Sequence, residues 1–69
     1  MQGQIKLSSR EVEVVVLICK EYTTKQIGDI LNISCITANN HRSNIMKKLN
    51  TNNMVGVVLF AIRNGIYSP

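Results

Sequence analysis

The chain has 69 residues, of which 45% are hydrophobic, and it contains one proline and no low-complexity tract. A domain of this size buries only about 60% of the surface that its unfolded chain exposes, so the length allows one small domain and excludes a deep catalytic cleft. The composition excludes a disordered tail and predicts a domain that folds alone.

Charged residues are distributed unevenly along the chain, whose net charge is +4. Residues 1–29 hold all four acids and four Lys or Arg, whereas residues 30–69 hold four Lys or Arg and no acid. A segment of one sign suits a polyanionic partner, although by charge alone a solvated basic face is the simpler interpretation.

Cysteine and histidine are too few for a structural zinc site, since the chain has two cysteines and one histidine. Cys19 and Cys35 have apolar neighbours, so we expect small buried hydrophobic residues in a reducing cytoplasm, with a disulfide as the less favoured alternative. Residues 1–6 lack the apolar core of a secretory leader, and no apolar run reaches the roughly 18 residues of a membrane span. We expect a cytoplasmic protein without metal or cofactor, in which residues 1–6 are a lead or linker before a domain of residues 7–67.

The first helix is predicted over residues 9–20. Ser8 is a helix cap, and Glu11 at the third helical position completes a capping box. The β-branched run over residues 14–19 also fits a buried strand, and the capping box decides for a helix. We expect its core stripe to comprise Val12, Val15, Val16 and Cys19, widened by Ile18 and Tyr22.

The second helix is predicted over residues 24–31, with Thr23 as the cap and Gln26 completing a second capping box. Asn32 can adopt the left-handed conformation that ends a helix, and Ser34 caps the next helix. Two helices joined by such a short turn form a helix-turn-helix. Gly28 costs about 0.5–1 kcal/mol relative to alanine in mid-helix, which close approach of the third helix would explain.

The third helix is predicted over residues 35–49, with two different faces at about 100° per residue. The core face comprises Ala38, Ile45 and Leu49, and the outer face comprises Ile36, Asn39, Asn40, Ser43, Asn44 and Lys47. An asparagine amide matches N6 and N7 of adenine in the major groove, and serine can bond to several bases. A single surface asparagine is usually only solvated, but two adjacent asparagines weaken a helix, and solvation gives no reason for them.

His41 lies toward the buried edge of the third helix, where packing or a hydrogen bond is favoured over base contact. No nucleophile with a base and an orienting acid is apparent, so we expect no enzyme.

The fourth helix is predicted over residues 54–64, capped by Asn53 and ended by Gly65 and Ile66 in a Schellman motif. Its core arc is expected to comprise Met54, Val57, Val58, Ala61 and Ile62. Val55, Leu59 and Phe60 point elsewhere around Gly56, and such exposed apolar surface often marks an interface.

Four segments together resemble one known family. "LSSREVEVV" resembles L-T-x-R-E-x-E-V-L, "TTKQIGDILNIS" resembles S-N-K-E-I-A-x-x-L-x-I-S, and "TANNHRSNIMKKL" resembles T-V-K-x-H-R-x-N-I-x-x-K-L. "NNMVGVVLFAIRNGI" looks like the closing fourth helix. These are patterns of the LuxR/GerE-type helix-turn-helix domain that ends NarL- and FixJ-like bacterial response regulators, and the match covers residues 7–66.

The resemblance implies an all-α, four-helix DNA-binding domain whose third helix enters the major groove and whose fourth often forms a dimer. By position, the base-reading residues are Asn39, Asn40 and Ser43, and the DNA-backbone residues are Lys25, Thr37, Arg42 and Lys47. The implied dimer interface is Val55, Gly56, Leu59 and Phe60.

Three departures from the family pattern affect function. Asn39 replaces a common Lys or Glu, so the target sequence cannot be copied from relatives. Ile36 replaces a common charged residue, which removes one phosphate contact. Gly56 replaces a frequent Glu, which leaves the fourth helix without an acidic first turn.

The sequence therefore predicts a transcription regulator that binds specific double-stranded DNA. The alternative is a helical interaction module that binds RNA polymerase or another regulator without specific DNA binding. Full-length family members usually carry an amino-terminal receiver or ligand-binding domain, so the chain is either an excised output domain or a stand-alone regulator.

Overall fold

A computed structural model describes residues 6–69 as four helices and the turns between them. The helices are α1 (Ser9–Cys19), α2 (Thr24–Leu31), α3 (Cys35–Leu49) and α4 (Met54–Arg63). The predicted all-α fold is confirmed, and the predicted helix bounds hold to within one residue. Most of the predicted lead lies outside the described residues. No helix within residues 6–69 combines the length and apolar character that crossing a membrane requires.

Side-chain caps explain why the helices begin where they do. The Ser8 Oγ atom accepts a hydrogen bond from the Glu11 amide at 3.1 Å, and Glu11 Oε1 accepts one from the Ser8 amide at 2.9 Å. Thr23 and Gln26 make the same reciprocal pair at 2.8 and 3.1 Å. Each cap satisfies amides that the first helical turn leaves without partners. The other two helices are capped by the predicted residues, Ser34 and Asn53.

Left-handed residues end all four helices, and at three of them the residue is asparagine or glycine. Asn32 ends α2 with φ of 59°, as predicted. Gly65 follows α4 with φ of 70°, and the Ile66 amide donates to the Ala61 carbonyl at 2.8 Å, which completes the predicted Schellman motif. Asn50 closes α3 with φ of 55°.

The end of α1 repeats this geometry with an unexpected residue. Glu21 has φ of 67°, and the Tyr22 amide donates to the Leu17 carbonyl at 3.1 Å. An L-residue with a Cβ atom adopts this conformation at a cost that glycine avoids. The sequence contains no signal that predicts a left-handed conformation for this glutamate.

The hydrophobic core is a single cluster to which all four helices contribute. Its buried residues are Val14, Val15, Ile18, Ile27, Ala38, Ile45, Val57 and Ala61.

The predicted core stripe of α1 was partly wrong. Val14 is fully buried, although it was not in that stripe, and Tyr22 is 41% exposed. The reason is that α1 packs against both α3 and α4, so its buried face is centred between them. Cys19 is half-buried, and Cys35 is exposed at the first residue of α3, so the expectation of a buried thiol was wrong for Cys35.

Gly28 lies where the turn folds back on α2. A Cβ atom at this position would be 2.8 Å from the Ile33 carbonyl oxygen, and the Ile33 amide donates to the Gly28 carbonyl at 2.9 Å. The closest approach comes from the turn, at Ile33. The expected approach of α3 is limited to its first residue, Cys35, whose amide nitrogen would lie 3.5 Å from that Cβ atom. The site therefore favours a residue with little or no side chain.

Candidate nucleic-acid interface

The outer face of α3 is free of packing within the described chain. Ala38 and Ile45 are fully buried on the opposite side, which fixes the rotation of the helix. Leu49 is half-buried beside them. The six residues predicted for the outer face are all exposed, namely Ile36, Asn39, Asn40, Ser43, Asn44 and Lys47. The three predicted base-reading residues thus lie together on one surface that a ligand can reach.

Arg42 lies between the outer and buried faces and links α3 to α2. Its side chain is half-buried, and its Nη1 atom donates to the Thr24 hydroxyl at the start of α2. Lys25 follows Thr24 in the chain and is exposed. Two of the three predicted backbone-binding cations are therefore at the same end of α2.

Thr37 lies in the first turn of α3, where the Ser34 hydroxyl holds it. Ser34 Oγ donates to Thr37 Oγ1 at 2.9 Å and accepts from the Thr37 amide at 3.0 Å. Because the Thr37 oxygen accepts this bond, its own hydroxyl proton can still be donated outward. The positive end of the helix dipole at this turn also favours an anion such as a phosphate.

Lys47 and Lys48 are neighbours with different surroundings. Lys47 is exposed beside a surface depression that includes Ser43 and Asn50, and it has no carboxylate within 4 Å among residues 6–69. Lys48 Nζ lies 2.7 Å from Glu11 Oε1. Lys47 can therefore contact a phosphate directly, whereas the ammonium group of Lys48 is paired with Glu11.

Glu11 is the only charged residue that is buried among residues 6–69, with an exposed fraction of 6%. The hydrogen bond from Lys48 lowers the pKa of Glu11 below its ordinary value, and the Ser8 amide acts in the same direction, while burial opposes both. The carboxylate thus ties the start of α1 to the end of α3. Sequence reasoning missed this pair because the capping box already explained Glu11 and because 37 positions separate it from Lys48.

The outer side of α4 carries an apolar stripe. Val55 is 65% exposed and Leu59 is 43% exposed, as predicted, but Ile62 is also 40% exposed, so its assignment to the core was wrong. Ile62 follows Val55 by seven residues, which places the two only about 20° apart around the helix. Val55, Leu59 and Ile62 are called the α4 stripe below.

Gly56 and Phe60 lie to one side of the α4 stripe and are both half-buried. A Cβ atom at Gly56 would collide with the side chain of Thr51. The absence of a side chain at Gly56 is therefore explained within this chain, by the turn between α3 and α4. His41 is also half-buried, at the edge of α3 where it was expected.

Comparison with known proteins identifies the family to which this helical domain belongs. The family model described as bacterial regulatory proteins, luxR family, matches residues 6–61. The chain belongs to the luxR family. This luxR-family domain resembles the solved structure titled Structure of Transcription factor, GerE, with a TM-score of 0.82 and 37% identity over 90% of this chain and 92% of that one.

Two curated relatives are themselves transcriptional regulatory proteins. DegU of Brevibacillus brevis is 42% identical over 59 residues, which cover 86% of this chain and 25% of DegU. MctR of Rhizobium johnstonii is 34% identical over 67 residues, which cover 97% of this chain and 31% of MctR. The luxR-family domain therefore spans about a quarter to a third of the length of these relatives. It is a helix-turn-helix domain of the DNA-binding type found in transcription regulators, a family of binding proteins rather than enzymes.

Proposed function

We propose that this luxR-family domain binds a specific double-stranded DNA sequence by placing α3 in the major groove. The observation that carries the proposal is the outer face of α3, which is exposed along its whole length and presents amides, a hydroxyl and a lysine. No acidic residue follows Asp29, so nothing on α3 or α4 repels a phosphate chain. Recognition helices of helix-turn-helix domains use such a face to contact base edges.

The residues of this face have separable roles in the proposal. Asn39, Asn40 and Ser43 contact base edges, because amides and hydroxyls match the donor and acceptor pattern of the groove. Arg42 and Lys25 approach the DNA backbone at the start of α2, and Thr37 and Lys47 approach it along α3. Base contacts determine sequence preference, whereas backbone contacts determine orientation and affinity.

We propose the same extent and location for this domain that its sequence predicts. Residues 7–67 form the functional unit, residues 1–6 are a lead or linker, and the domain acts in the cytoplasm of a bacterium, where its DNA partner lies. It acts by binding and not by catalysis.

We also propose that two copies pair through α4 on DNA. The α4 stripe supports this, since it continues into an apolar groove lined by Tyr22, Met54 and Val58. Val55 and Leu59 are at the centre of the contact, and Gly56 and Phe60 are at its margin. A two-fold pair would set two recognition helices about one DNA turn apart and would favour an inverted-repeat site.

A mobility shift with duplex fragments, followed by selection of bound sequences from a random pool, tests the DNA proposal. Asn40→Ala should cost about 1–3 kcal/mol on the selected site and relax preference at one base pair, because a bidentate contact is lost. Lys47→Ala should weaken binding to all sequences alike. Asn44→Ala is the matched control, an exposed asparagine on the same helix outside the base-reading set, and it should preserve the selected motif.

Salt dependence tests the backbone contacts separately. Lys25, Arg42 and Lys47, with neighbouring amides, correspond to about three to four neutralised phosphates, so log K should fall with log salt at a slope of roughly −3 per copy. Absence of binding at both low and moderate salt would reject the DNA proposal in favour of an interaction module that binds RNA polymerase or another regulator. An unchanged motif and affinity in Asn40→Ala would show that a different face of the domain meets the bases.

A further inference from the structure

The outer face of α3 contains one apolar side chain that the proposed function leaves unexplained. Ile36 is 75% exposed, more than any other large hydrophobic residue over residues 6–69. It is the second residue of α3, and Asn39 and Asn40 follow it by about one helical turn on the same exposed face. Isolated exposed isoleucines are ordinary on protein surfaces, so the position of Ile36, and not its exposure alone, requires a reason.

The N-terminal residues of a recognition helix are those that contact base edges in the major groove. An isoleucine placed there loses its water and gains no hydrogen bond. The burial is favourable only if the isoleucine meets another apolar group. Polar base edges would lose their own hydration against it, at a cost. The apolar group that the major groove presents is the 5-methyl group of thymine.

We propose that Ile36 packs against a thymine 5-methyl group and makes one thymine a requirement of the DNA site. This inference rests on the proposed function, because it assumes that α3 enters the major groove. Four residues of helix separate Ile36 from Asn40, which corresponds to about 6 Å along the axis. Base pairs are spaced about 3.4 Å apart, so the thymine lies within about two base pairs of the pair that Asn40 contacts.

The test removes only the methyl group from the DNA. Each thymine of the selected site is replaced singly by deoxyuridine, and affinities are measured for the wild-type chain and for Ile36→Ala. At one thymine the wild-type chain should lose about fourfold in affinity, the ratio expected for one buried methyl-sized group. Ile36→Ala should show no loss at that thymine, because its side chain no longer reaches the methyl group.

A second substitution in the DNA tests whether adding a methyl group raises the affinity. Replacing that T·A pair by C·G should weaken wild-type binding, and 5-methylcytosine in place of that cytosine should restore about fourfold of the loss. Ile30→Ala is the matched control, since Ile30 is 50% exposed on α2 and outside the proposed DNA contacts. It should retain the wild-type response to deoxyuridine, and circular dichroism should show all variants folded.

The outcomes separate this inference from the proposed function. Selective DNA binding in which Ile36→Ala and the wild-type chain respond alike to deoxyuridine at every thymine would overturn the inference about Ile36 alone. Failure of the wild-type chain to bind any duplex selectively would overturn both. A methyl-dependent thymine more than three base pairs from the Asn40-dependent pair would also overturn it, because one helix could not span that distance at this register.

Discussion

Replacing Lys48 by methionine should destabilise the domain, although Lys48 is partly exposed. The substitution keeps most of the side-chain length and removes the ammonium group that lies 2.7 Å from Glu11 Oε1. Glu11 then remains buried with the Ser8 amide as its nearest donor, at 2.9 Å. A buried carboxylate that loses its cation retains its full desolvation cost.

The magnitude follows from the burial of the two partners. Removing one partner of a fully buried pair costs about 3–5 kcal/mol, and a hydrogen bond to a charged group contributes about 1.5–3 kcal/mol. The Lys48 side chain is 44% exposed, so solvent screens its interaction with Glu11. We therefore expect a loss near the low end of these ranges, about 1.5–2 kcal/mol. For a domain of this size that corresponds to a decrease of roughly 6–16 °C in Tm.

The effect should depend on pH in a defined direction. Because Lys48 lowers the pKa of Glu11 in the folded state, the pair stabilises the domain above the ordinary glutamate pKa of 4.5, and this stabilisation is lost as pH falls through the folded-state pKa. The difference between the wild-type chain and Lys48→Met should therefore be largest near neutral pH and should shrink in acid.

Urea unfolding followed by circular dichroism at pH 7 and in acid measures both effects. Lys47→Met is the matched control, since Lys47 is exposed and has no carboxylate within 4 Å among residues 6–69; its stability should stay within about 0.5 kcal/mol of wild type. Equal stability of the two variants, or a Lys48→Met deficit that persists undiminished in acid, would refute the assigned ion pair.

Two further predictions concern the end of α1 and the α4 stripe. Glu21→Gly should raise the free energy of unfolding by about 0.5–1 kcal/mol by relieving the left-handed strain, whereas Glu13→Gly, the same change inside α1, should lower it by about 1 kcal/mol. Thermal unfolding measures both, and a loss of stability in Glu21→Gly would contradict the strain. Leu59→Asp should keep the helical circular dichroism and abolish cooperative filling of two half-sites, whereas Ser68→Asp, with the same charge beyond α4, should not. Cooperativity that survives in a folded Leu59→Asp variant would remove α4 from the dimer contact.

Local signals made the helix bounds predictable from the sequence. A cap such as Ser8 and its partner Glu11 are three residues apart, so the pattern that defines the helix start is visible in a short window. Gly65 and Ile66 at the end of α4 are predictable for the same reason.

Features that depend on packing between helices were less predictable. The buried face of α1 depends on where α3 and α4 lie, so Val14 was missed and Tyr22 was misplaced. The bond between Glu11 and Lys48 spans 37 positions and has no periodic signature. The outer face of α3 was predictable because a single helix with a clear core side defines its own opposite face, while the roles of Asn39 and its neighbours stay predictions.

Under the proposed DNA contacts, the exposed outer face of α3 lets target choice and folding change independently. Within residues 6–69 the side chains of Asn39, Asn40 and Ser43 make no hydrogen bond to the rest of the domain, and α3 is held instead by Ala38, Ile45 and the Glu11–Lys48 pair on its other sides. Substitutions on the outer face therefore leave the scaffold nearly untouched. If Asn39, Asn40 and Ser43 read the bases as proposed, a lineage carrying this domain can acquire a new operator by changing a few exposed side chains, without passing through unstable intermediates.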